Sequence, residues 1–144
     1  MKDLDLKRTT ELLTRIIEYE LAGVVRFTHY ALMVKGPYRL PLVAFLKGQA
    51  NESLLHAQQC GEILVGIGGH PTMKIAKIDE SNQHSVADVV AESLAHEERA
   101  VVLYRELLEV VKDHSVYLEE FARGMISAEE MGAMELRKMV RDYA

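Results

Sequence analysis

Three glutamates and one histidine carry the chemical interest of this chain. Glu20 follows Leu13, Ile16 and Ile17 and precedes Gly23, Val24 and Phe27, at offsets of seven, four and three residues. Those offsets share one face of a helix, so Glu20 is predicted to point into a helical core. Glu97 stands in the same relation to Val90, Ser93 and Leu94, and to Ala100, Val101 and Tyr104. Glu129 does so among Ala122, Met125 and Ile126, then Gly132, Ala133 and Leu136. A fourth stripe, Leu42, Phe45 and Leu46, turns polar at Gln49, Ser53 and His56 before Cys60, Ile63 and Ile67. A buried, unpaired carboxylate is costly or takes up a proton. For any one glutamate the plainer reading is an edge position from which the side chain reaches water. Three together favour a hard metal ion, and carboxylates with imidazole suit iron or manganese.

The elements that must hold these groups are four helices, predicted near 6–35, 40–66, 84–112 and 115–142 from apolar residues at i, i+3, i+4 and i+7. Gly36-Pro37 with Pro41, then Gly66, Gly68, Gly69 and Pro71, then Asp113-His114-Ser115 divide them. Strand patterns are absent; the short run Met73–Ile78 lies in a connection. Short links make helices one and two a hairpin, and three and four another. The link over 67–83 could extend on the order of 50 Å, more than the roughly 40 Å of the helix before it. The expectation is therefore an all-α four-helix bundle, one domain over 1–144, with one long crossover between helices two and three.

The two hairpins echo each other. Glu20 precedes His56 by 36 positions and Glu97 precedes Gly132 by 35; Ser53 lies three before His56 as Glu129 lies three before Gly132. Phe27 and Tyr104 each fall seven residues after the inward glutamate. Such a pseudo-twofold lets a bundle build a two-metal site from one Glu and one Glu-x-x-His per hairpin.

Bulk properties exclude other classes. The net charge is −5 and no Lys/Arg stripe forms, which argues against nucleic acid as a partner. One cysteine, Cys60, suits a reducing compartment. No apolar signal core or membrane-length apolar run is present, so the expected location is the cytoplasm, with no membrane partner.

Glu20-Leu21-Ala22 leading to Phe27, His56-Ala57 with Glu62 and Gly69-His70-Pro71, Glu97 with Arg105-Glu106, and Glu129-Glu130 together resemble the bacterioferritin branch of the ferritin-like superfamily. The resemblance implies a di-iron site at Glu20, His56, Glu97 and Glu129. It also implies a glutamate where Ser53 stands and a histidine where Gly132 stands. Four of six expected ligands remain, so the iron is expected to be mononuclear or dinuclear and partial. Glu52, four residues before His56, is a candidate substitute ligand. The Glu-Ser-Leu-x-His string around it recurs as Glu92 to His96. His96 lies off the phase of Glu97, so that second pair reads as a helix-surface contact, with ligation the alternative. His29, His70, His84 and His114 read as scattered surface or loop histidines. The family's haem methionine would fall at Leu54, so haem is not expected. Only twelve residues follow Gly132, too few for the fifth helix of the cage-forming fold, and a homodimer is expected instead of a 24-subunit shell.

Two functions follow. One is a bacterioferritin-like iron protein that binds Fe(II) in the bundle core, where O₂ or peroxide oxidises it. The other is a non-catalytic bundle that lost the site and serves as a structural or interaction protein. A DNA-protecting or adaptor role would require a basic patch.

Overall fold

The computed structural model describes residues 2–144. Four helices follow in order: α1 (Leu6–Met33), α2 (Arg39–Gly66), α3 (Val86–Val111) and α4 (Val116–Tyr143). Among the described residues there is no named strand, only an isolated parallel bridge between Lys35 and Ser85. The boundaries follow local chemistry. Asp5 accepts the Arg8 N–H to open α1, Ser85 accepts the Asp88 N–H to open α3, and Ser115 accepts the Leu118 N–H to open α4. After α2, Gly68 takes a φ of 91°, and the Gly69 N–H donates to the Leu64 carbonyl, turning the chain away from the helix axis.

α1 packs on α2 and α3 on α4, and α1 against α3 joins the two hairpins. The Lys35 N–H donates to the His84 carbonyl at 2.9 Å, so α3 begins where α1 ends. Arg15 faces Glu106 and Tyr30 faces Glu92, an antiparallel register between α1 and α3. α3 is therefore parallel to α2, as the long crossover requires. That crossover lies along α1. The Ala76 N–H donates to the Glu18 carbonyl, Glu80 meets His29, and His84 meets Lys35.

The apolar interior is split in two. One cluster contains Leu12, Leu13, Ile16 and Ile17 with Cys60, Leu64, Leu103, Leu107, Leu118 and Ile126. The other contains Phe27, Tyr30, Leu42, Leu46, Val89, Val90 and Leu136. Every helix contributes to both, and on every helix buried polar residues lie between them: Glu20, Ser53 with His56, Glu97, and Glu129.

Candidate metal centre

Helical phase brings Glu20, His56 and Glu129 to one place. One donor atom from each lies within 4.8 Å of the others, and all three residues are buried. His56 Nδ1 is 3.0 Å from Glu20 Oε2 and 3.0 Å from Glu129 Oε1. Glu20 Oε2 and His56 Nδ1 nevertheless make no directed hydrogen bond. One ring nitrogen carries at most one hydrogen, which cannot point at two carboxylates at once. The separation suits another arrangement. With bonds of about 2.1 Å, neighbouring ligands of an octahedral cation lie about 3.0 Å apart. The spacing and the orphaned buried donors fit a metal ion.

The charges agree. Burial pushes the Glu20 carboxyl up to about 7, although His56 works against it. Burial alone would lower His56, but Glu129 and Glu20 beside it push it up to about 10. Glu129 is held below the ordinary carboxylate range; burial opposes this, and the contacts with His56 and Glu97 outweigh it. Glu97 is pushed up to about 10, first by burial and then by the Glu129 carboxylate facing it. Without a cation the cluster thus survives by keeping protons on Glu97 and His56.

The other predicted residues are placed differently. Glu97 is buried beside Glu129, and its Oε2 has no hydrogen-bond partner. Glu52 lies on the far side of the imidazole, 3.7 Å from Nε2, with its side chain 51% exposed. It approaches the ring nitrogen opposite the one on which Glu20 and Glu129 converge. Ser53 is buried and Gly132 half-buried, at the two positions where the resemblance implies ligands.

His96 corrects the expectation of a surface pair. Its residue is 5% exposed, and neither ring nitrogen has a partner. The ring stacks on Tyr19 at 4.3 Å between centroids and meets the edge of Phe27 at 5.2 Å; Tyr19 Oη donates to the His96 carbonyl. Burial holds the imidazole down to about 4, so it is neutral. Gly23 permits this packing, since a β-carbon there would stand 2.8 Å from both His96 Nε2 and Ser53 Oγ. Glu92 pairs elsewhere, accepting from Tyr30 Oη and Ser81 Oγ. The signal for it in the sequence is Gly23 set between Tyr19 and Phe27, one helix turn to either side, with the small Ser53 on α2. His29 and His84, expected to be scattered, meet with ring centroids 5.9 Å apart.

Residues 10–144 match the family model described as a ferritin-like domain. Among solved structures, a ferritin-like diiron-carboxylate protein from Bacillus anthracis superposes with a TM-score of 0.89 at 22% identity, covering 97% of this chain and 99% of that one. The bacterioferritin-related protein of Bacteroides fragilis, a dodecameric thioferritin, gives a TM-score of 0.90 at 19% identity over 96% and 88% of the two chains. Rhodobacter capsulatus bacterioferritin, with a metal-free dinuclear site and a haem iron, gives 0.87 at 17% identity over 95% and 86%. At these identities the superpositions establish the fold. No curated protein matches the chain.

Proposed function

The chain belongs to the ferritin-like family, and from that premise we propose that it takes up iron at the bundle centre and exposes it there to O₂ or peroxide. The observation that carries the reading is the 3.0 Å approach of both Glu20 and Glu129 to one nitrogen of His56. Iron is the cargo, Fe(II) on arrival. Carboxylates are hard anionic ligands and favour the ferric state, which makes oxidation thermodynamically easier. Glu20, His56 and Glu129 would hold the ion, with Glu97 as the fourth donor once it gives up its proton. Proton release from Glu97 and His56 accompanies loading, because ligands bind in their deprotonated forms.

Ser53 and Gly132 favour a site that holds fewer ions than a full six-ligand centre. Metal analysis of the full chain after anaerobic Fe(II) loading tests the proposal. About one iron per chain supports it, and less than about half an iron per chain overturns it in favour of the non-catalytic bundle.

The same reading extends to assembly. Leu32 on α1, and Leu54, Leu55 and Val65 on α2, are exposed apolar side chains. Exposed apolar patches mark interfaces, and a second copy of the chain would cover them in a homodimer. Light scattering of the purified protein decides between dimer and larger shell. No helix among the described residues is long and apolar enough to cross a membrane, and we place the protein's work in the cytoplasm.

A further inference from the structure

A second cluster of donors lies away from the bundle centre, where the crossover rests on α1. His29 is nine residues beyond Glu20, about 13 Å further along the helix. It shares a cavity of about 250 Å³ with Arg26, Glu80, His84 and Glu92. His29 Nε2 is buried, has no hydrogen-bond partner, and lies 3.3 Å from Glu80 Oε1. The ring of His84 is 5.9 Å from that of His29, inclined by 63°.

We propose that His29, Glu80 and His84 form a separate site for a borderline divalent cation such as zinc, clipping the crossover to α1. The distances carry the argument. Bonds of about 2.0–2.1 Å in a tetrahedral site put neighbouring donors about 3.3 Å apart, the separation of His29 Nε2 and Glu80 Oε1. Two imidazoles on one such ion have ring centroids about 5–6 Å apart, which matches His29 and His84. Among the described residues only the bundle-centre trio gathers three donors within 4.8 Å, so the peripheral set requires rotation of the His84 side chain to close. Its backbone is already pinned by the Lys35 N–H. The surroundings favour a cation. Arg26 donates to Tyr30 Oη, and Tyr30 and Ser81 both donate to Glu92, so Arg26 and Glu92 are tied into one network. Asp79 pairs with Lys77 at 3.6 Å, which leaves Glu80 as the carboxylate facing His29. Two nitrogens and one carboxylate select a transition ion over calcium or magnesium.

Zinc titration of the full-length protein, followed by calorimetry, tests the proposal with His29→Ala, His84→Ala and His56→Ala. The wild type should bind one zinc ion more than either peripheral variant, or bind it at least about tenfold more tightly, the low end of the loss typical even for residues outside a metal's ligand set. His56→Ala should keep that ion, which separates this site from the bundle centre whatever iron does there. Zinc should also slow proteolysis within 72–84 in the wild type and not in His84→Ala. Unchanged stoichiometry and affinity in both His29→Ala and His84→Ala would overturn the proposal. So would a loss confined to His29→Ala, which would leave His84 without a part. The side chains of His29 and Glu80 are partly exposed, and circular dichroism of each variant verifies that the bundle is intact.

Discussion

The orphaned Oε2 of Glu97 faces the backbone of Gly132, 3.6 Å from where a β-carbon on that glycine would stand. That is ordinary van der Waals contact, so nothing in the packing demands glycine at this point of α4. Gly132→Ala should stabilise the protein by up to about 1 kcal/mol through helix propensity alone, read as a higher denaturation midpoint. Gly132→His should go further and set an imidazole beside Glu97. Iron bound per chain should rise above the wild-type value. Equal iron content in the two proteins would show that the site is limited elsewhere, with Ser53 the remaining gap.

Gly23 predicts the opposite response to the same change. A methyl group there would stand 2.8 Å from His96 Nε2 and Ser53 Oγ, and Tyr19 and Phe27 hold the His96 ring in place. Overpacking of this kind costs about 1–3 kcal/mol, enough to outweigh the helix gain. Gly23→Ala should therefore lower the urea midpoint. In a His96→Ala background only the part of the penalty due to the ring should be relieved, the contact with Ser53 remaining, and a double-mutant cycle measures the coupling.

The metal-free protein should lose stability between pH 7 and 8.5. Glu97 and His56 both have folded-state values raised to about 10, from ordinary values of 4.5 and 6.5. For each, the favourable contribution is full below the unfolded value and fades as pH rises through the folded one. In that window both weaken the fold together. His96, lowered to about 4, is neutral when folded and mostly neutral when unfolded in this window, so it contributes little slope. The thermal midpoint in chelator should fall by a few degrees from pH 7 to 8.5. Bound metal should flatten or reverse that slope, because the loaded site needs its ligands deprotonated.

Replacing Glu129 by glutamine keeps the shape and removes the charge that faces His56, Glu97 and the ion. Glu129→Gln and His56→Ala should each weaken iron binding by at least about tenfold. Glu52→Gln should have a far smaller effect, since Glu52 approaches the other nitrogen of His56 from solvent. Equal losses in all three would assign Glu52 to the ion after all.

The contrast between Glu20 and His96 shows what periodicity can and cannot reveal. Glu20, Glu97, Glu129 and His56 were legible because one helix period fixes which residues face the bundle axis. His96 sits next to Glu97 and off that axis, yet it is buried, because α1 and α3 form a second interface that small residues at 23 and 53 leave room to fill. The loop lengths gave the crossover, and with it the parallel α2 and α3. They do not specify its path, and His29 meets Glu80 and His84 only because the connection lies along α1.

Cys60 has one more use. It is wholly buried with Tyr104 Oη at 3.7 Å, and burial pushes its thiol up to about 12. As the only cysteine, one turn beyond His56, it is a natural clock for breathing of the helices. Alkylation requires the bundle to open and the sulfur to ionise in water, so the labelling rate counts openings at the wall of the metal centre. A bound ion that ties α1, α2 and α4 together should slow that clock without any probe being engineered.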